Sequence, residues 1–151
     1  MPRYLIDVNV FLAATIEAHV HHAPARRWVE SVEPPSTLSF CRVTEMSCLR
    51  LLTQPIAEGF RPLANRDAAA VYLAWRQDDR VGLMAEPPGL GELWPRLALR
   101  DDCSPKLWTD AYLAAFAIAG GCRLVTFDAA FRQFEAESLD LLLLEPEQER
   151  P

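Results

Sequence analysis

Short apolar runs and amphipathic stretches alternate along the chain. Arg3-Tyr4-Leu5-Ile6 is an apolar run that stops at Asp7, the pattern of a buried strand. Val8 to Ile16 reads as a helix, and His22 to Val32 as a second one, ended by Pro34-Pro35. Thr37 to Phe40 is the next strand candidate. The helix after it, Val43 to Leu52, carries apolar positions at Val43, Met46, Leu51 and Leu52 and stops before Pro55. An alanine-rich helix follows at Asp67 to Arg76, then a strand candidate at Val81 to Ala85. Beyond the Pro87-Pro88-Gly89 loop, Leu93 to Leu99 is a short helix. Thr109 to Ala119 is a strongly apolar helix with Gly120-Gly121 as its stop. Arg123 to Phe127 is a strand that ends at Asp128, Ala129 to Phe134 a short helix, and Leu139 to Leu144 a last strand. The charged segment from Glu145 to Pro151 reads as a frayed tail.

Strands that alternate with helices, and that are apolar throughout, predict a sheet covered on both faces. The expected fold class is α/β, a three-layer α/β/α arrangement around a central, mainly parallel sheet. At 151 residues the chain fits one domain, residues 1–151, with its core at about 3–144 and its tail at 145–151. No apolar run reaches the ~18–20 residues of a membrane helix. The opening residues MPRYLID lack the apolar stretch of a secretory signal. The expectation is a cytoplasmic protein with no membrane partner.

Charge and cysteines narrow the classes further. The net charge of −6 argues against broad electrostatic binding to nucleic acid, but not against an enzyme that meets phosphate through bound cations. Of the 15 basic residues, Lys106 alone is lysine. The four cysteines, Cys41, Cys48, Cys103 and Cys122, form no CxxC, which excludes a zinc ribbon and fits reduced, mostly buried thiols.

The acidic residues gain meaning from the sheet. Asp7 and Asp128 each follow a strand directly. Glu45 lies on the first turns of the helix after Thr37–Phe40, and Asp110 at the first turn of the Thr109–Ala119 helix. In a parallel α/β sheet all four sit at the carboxyl edge of the strands, where such folds bind ligands. Four carboxylates in one pocket repel one another unless a cation joins them, and hard Mg²⁺ or Mn²⁺ with oxygen ligands is the usual answer. Each acid also has an ordinary structural role open to it. Asp110 suits a helix start with Thr109 as its cap, Glu45 suits a solvated face, and Asp7 and Asp128 suit turns or caps.

The ordered set Asp7-Val8-Asn9, Thr44-Glu45, Thr109-Asp110-Ala111-Tyr112-Leu113 and Thr126-Phe127-Asp128 resembles the PIN domain, and more narrowly the VapC toxins of bacterial toxin–antitoxin pairs. The likeness runs from Tyr4 to about Leu144. It implies a Mg²⁺- or Mn²⁺-dependent endoribonuclease that cleaves RNA through metal-activated water and leaves a 5′-phosphate and a 3′-hydroxyl. It implies a VapB-type antitoxin partner and a homodimer. Asp7, Glu45, Asp110 and Asp128 would be the family's four acids, with Asp7 and Asp110 the first choices for direct metal contact. Asn9 and Thr126 would orient the carboxylates.

Other features are weaker. His19, His21 and His22 follow the first helix without a matching Cys/His group, so RNA contact or a solvated loop fits better than a metal. Most tryptophans fit the core, and Trp94, after the Pro/Gly loop, is the one expected to be exposed for base stacking. Arg26, Arg27, Arg96 and Arg100 suit either the RNA backbone or a solvated face. Ala64 to Arg100 carries no assignable motif, and substrate choice is expected partly there. Alternatives stay open: an RNA-maturation PIN nuclease without antitoxin, or a non-catalytic PIN-like binding module. A phosphatase of the dehalogenase type wants an Asp where Asn9 stands, and a receiver wants a lysine after a late strand, where Lys106 is not.

Overall fold

The computed structural model describes residues 2–148. Five strands, β1 (Arg3–Ile6), β2 (Thr37–Phe40), β3 (Val81–Leu83), β4 (Arg123–Thr126) and β5 (Leu141–Leu143), form one sheet. Every pairing is parallel, in the order β3-β2-β1-β4-β5. The fold is the expected three-layer α/β/α class, with a sheet that is wholly rather than mainly parallel. Period-two alternation splits the core in two. Leu5 and Leu124 point into one layer, Ile6 and Val125 into the other.

On the first face lie α5 (Leu90–Ala98), α6 (Pro105–Gly120) and a 3-10 helix (Ala129–Glu137). α6 is buried along most of its length because Ala111, Ala114, Ala115 and Ala117 let it lie close to the strands while Leu113 and Phe116 fill the gaps. On the other face, α1 (Val8–Thr15), α2 (His22–Ser31), α3 (Arg42–Leu52) and α4 (Asn65–Arg76) cover Ile6, Leu38, Phe40 and Val125. Phe11 anchors that layer, edge-on to Phe40 at 5.4 Å and tilted against Trp75 at 5.3 Å.

Several boundaries differ from the sequence reading. α6 begins at Pro105, not Thr109, because proline is well placed in the first turn, where its missing N–H costs nothing. Thr109 is therefore no cap, and Asp110 lies beyond the first turn. α5 starts at Leu90 and continues through Pro95; burial of Leu90, Leu97 and Ala98 offsets the lost hydrogen bond. β3 stops at Leu83, and β5 is only Leu141–Leu143. On α3 the buried residues are Thr44, Cys48 and Leu52, and Met46 faces solvent. Cys41 precedes α3 as its cap residue, and Cys103 is exposed while the other three thiols are buried.

The strand order places a topological switch point between β1 and β4. From β1 the chain steps through β2 to β3 on one side, and β4 to β5 fills the other. Loops leaving the carboxyl ends of β1 and β4 diverge there and open a crevice.

Candidate active site

The first residue after β1 is Asp7, and it caps α1. Its Oδ1 accepts a hydrogen bond from the Val8 N–H at 2.7 Å, and its own N–H donates to the Val125 carbonyl at 2.9 Å. The carboxylate is thus fixed across the β1–β4 seam. Its Oδ2 accepts from the Thr126 hydroxyl at 2.7 Å. That hydroxyl has one donor and two acceptor positions, and all are used. It accepts from Asn9 Nδ2 at 3.1 Å and from the Asp128 N–H at 3.0 Å. Asn9 Oδ1 in turn accepts from the Phe127 N–H at 3.2 Å. Thr126 thus bonds the Asp7 carboxylate directly, and Asn9 reaches it only through the Thr126 hydroxyl.

Asp128 follows β4 and caps the 3-10 helix, its Oδ1 accepting from the Ala130 N–H at 2.9 Å. Asp110 enters from α6. The three aspartates line one cavity of about 400 Å³ together with Asn9, Thr44, Ser47 and Lys106. The capping roles and the shared cavity coexist, so the structural and chemical readings of Asp7 and Asp128 are not alternatives.

Glu45 does not line this cavity. One residue past Thr44, the helix turns it toward α4, where its Oε2 accepts from the Tyr72 hydroxyl at 2.6 Å and its Oε1 pairs with Arg42. Arg76 donates to the same Tyr72 oxygen at 3.2 Å. Burial opposes ionisation of Glu45, but the Tyr72 and Arg42 contacts outweigh it and hold the carboxyl below its usual range.

Sequence reasoning passed over Lys106. It stands one turn before Asp110 on α6, with Nζ 3.7 Å from Asp110 Oδ2 and in direct contact with Asp128 Oδ2. The signal was Ser104-Pro105, a helix start that puts positions 106 and 110 on one face. Hydrogen bonding to Asp128, then the charge of Asp110, holds the ammonium protonated.

Electrostatics separate the three aspartates. Burial pushes Asp7 up to about 6, assisted by Asp110 and Asp128 and opposed by its bonds from Thr126 and Val8. Asp110 is also raised, by burial first, with Lys106 pulling the other way. Asp128 is lowered: burial opposes this, but Lys106 and the Ala130 N–H prevail.

Among the described residues no three His, Cys, Asp or Glu side chains converge closely enough to cage an ion. Mg²⁺ does not need a cage, since it takes one or two carboxylates and keeps several waters. Asp7 and Asp110, oxygen ligands whose proton affinity is raised by burial and by neighbouring carboxylates, fit such a site. The histidines do not add one. His21 stacks on Phe127 at 5.1 Å, His22 Nδ1 bonds the Ala13 carbonyl at 2.8 Å, and His19 Nδ1 accepts from the His21 N–H at 3.0 Å. A second cavity, of about 300 Å³ between α2 and α4, is lined by charges already paired, Arg26 with Glu30 and Arg80 with Asp78.

Trp94, expected to be exposed, is half-buried. Its indole N–H donates to the Trp108 carbonyl at 2.8 Å, and its ring meets Tyr112 edge-on at 5.4 Å. Trp108 is the exposed tryptophan, at 50%.

The model of the PIN domain matches residues 4–137. The chain is a member of the PIN-domain family. Its VapC character follows from "Ribonuclease VapC41" of Mycobacterium tuberculosis, 47% identical over 142 residues and spanning 91% of this chain and 97% of that protein. Among solved structures, VapBC2 from Rickettsia felis bound to a promoter DNA fragment shares the fold with a TM-score of 0.65 at 17% identity, over 95% of this chain and 99% of that one. VapC20 of M. tuberculosis, a sarcin–ricin-loop-cleaving toxin, superposes with a TM-score of 0.64 at 19% identity, over 86% and 93%. In this PIN domain the acidic cavity lies at the switch point of the sheet. No helix among the described residues is long and apolar enough to cross a membrane.

Proposed function

We propose that this protein is the toxin of a VapBC-type pair, a cytoplasmic endoribonuclease that hydrolyses RNA phosphodiester bonds with Mg²⁺ or Mn²⁺. One observation carries the reading: Asp7, Asp110 and Asp128, brought together from three separate segments, line a single cavity at the switch point. A chain 47% identical to a named ribonuclease over 91% of its length supports the same chemistry.

Asp7 and Asp110 would hold the ion, and Asp128 would complete the site directly or through water. An ion held there by Asp7 and Asp110 would supply water activation and charge neutralisation for phosphodiester hydrolysis. The protein's part is placement. Thr126 and Asn9 fix the Asp7 carboxylate, and the α1 N-terminus adds its own attraction for negative charge. Glu45, the fourth acid of the reading, reaches the cavity only by releasing Tyr72 and Arg42. The VapB-type antitoxin is supported by neighbours that are themselves VapBC complexes. A homodimer suits the exposed Met46 and Leu73 on α3 and α4.

The test is incubation of the purified protein with total cellular RNA in Mg²⁺, in Mn²⁺ and in EDTA, beside Asp7→Asn, with cleavage ends mapped. Discrete metal-dependent cuts bearing 5′-phosphates, absent from Asp7→Asn, are expected. Undiminished cutting in EDTA would refute the metal reading.

A further inference from the structure

The cavity contains a cation of its own. Lys106 is the chain's one lysine, and its Nζ touches the carboxylates of both Asp110 and Asp128. The two contacts lie one helical turn and one loop away from each other, so the ammonium bridges α6 to the end of β4 across the crevice. Its side chain is 66% exposed at the cavity mouth, which leaves it free to swing out into water. Arginine takes every other basic position, and its planar fork would lock onto these carboxylates more firmly than a point charge does.

We propose that Lys106 is a resident counter-ion that occupies the cation position of the acidic cavity and is displaced when a divalent metal binds. This rests on the metal-dependent reading given above. The ammonium sits on Oδ2 of both Asp110 and Asp128, and a divalent ion held by the same carboxylates would repel it at close range, so the lysine and the metal compete. The lysine keeps three carboxylates compatible in the metal-free protein and lowers its affinity for metal by the same interaction. Once displaced, its ammonium remains at the mouth of the cavity, beside the path of an incoming phosphate.

The experiment is a calorimetric titration of the EDTA-stripped, dialysed full chain with MnCl₂, with thermal melts at fixed Mn²⁺ as a second readout. Wild type is compared with Lys106→Gln, Lys106→Met and Arg100→Gln. Arg100→Gln removes the same unit of charge but pairs with Asp102 outside the cavity. Both Lys106 variants are expected to bind Mn²⁺ about three- to tenfold more tightly than wild type, the scale of two partly exposed ion pairs. Their Mn²⁺-induced rise in melting temperature should be correspondingly larger, with Arg100→Gln unchanged. Equal or weaker Mn²⁺ binding by the Lys106 variants would overturn the proposal while leaving the metal site standing. An equal gain in Arg100→Gln would assign the effect to net charge and overturn it too. Absence of Mn²⁺ binding in all four proteins would refute the metal reading itself, and this proposal with it.

Discussion

Replacing Asp7 by asparagine should stabilise the metal-free protein at neutral pH while it abolishes cleavage. The Asp7 carboxyl sits at about 6 in the folded chain, against an ordinary 3.8, chiefly because it is buried. At ~1.4 kcal/mol per decade this corresponds to about 3 kcal/mol of strain carried by the ionised, folded form. The sign follows from linkage. The folded state holds this proton more tightly than the unfolded chain, so the benefit is full below about pH 3.8 and is lost as pH rises through about 6. Asparagine removes the charge and keeps Oδ1 for the Val8 N–H. Its amide, however, meets a Thr126 hydroxyl whose acceptor positions already serve Asn9 and Asp128, a donor conflict worth ~1 kcal/mol. The net gain is then about 1–2 kcal/mol at pH 8. Urea unfolding of EDTA-treated wild type and Asp7→Asn at pH 8 and pH 4.5 measures it. The gain should be present at pH 8 and gone, or reversed, at pH 4.5. Equal destabilisation at both pH values would refute the argument that Asp7 is a strained, charged group.

Further outcomes follow from the same contacts. Thr126→Val removes the bond that lowers Asp7, so the acid limb of the pH–activity profile should move to higher pH and kcat should fall; Thr126→Ser should restore both. Tyr72→Phe should cost about 1–2 kcal/mol in chemical denaturation, because it strips a charge-assisted bond from Glu45 at the α3–α4 junction. Phe116→Ala, which removes a fully buried ring of α6, should cost about 3–5 kcal/mol, read from the same unfolding curves.

The order of elements was legible because strands buried on both faces are apolar throughout, and this chain separates them cleanly with helices. Asp7 and Asp128 were legible for the same reason: a carboxylate directly after an apolar strand in a parallel sheet has one edge to occupy. The Glu45 outcome was not legible. Its direction depends on Tyr72, a helix away in sequence and adjacent only in the fold, and no local pattern encodes that contact. Lys106 was hidden by a boundary. With the helix begun at Thr109, the lysine falls in a loop; begun at Pro105, it falls one turn below Asp110. Trp94 and Trp108 exchanged roles because exposure in α5 and α6 is set by how the two helices pack, not by distance from a proline-rich loop.

The bond from Thr126 to Asp7 joins residues 119 apart in sequence. On a ribosome, the first strand and its aspartate emerge well before β4, the strand that completes their side of the sheet. A chain terminated anywhere before β4 lacks both the hydroxyl that seats Asp7 and the carboxylate of Asp128. Translation must therefore pass β4 before the cavity can form, and fragments that stop short of it are born without it. The placement of β4 beside β1 makes the site depend on synthesis of every element between them.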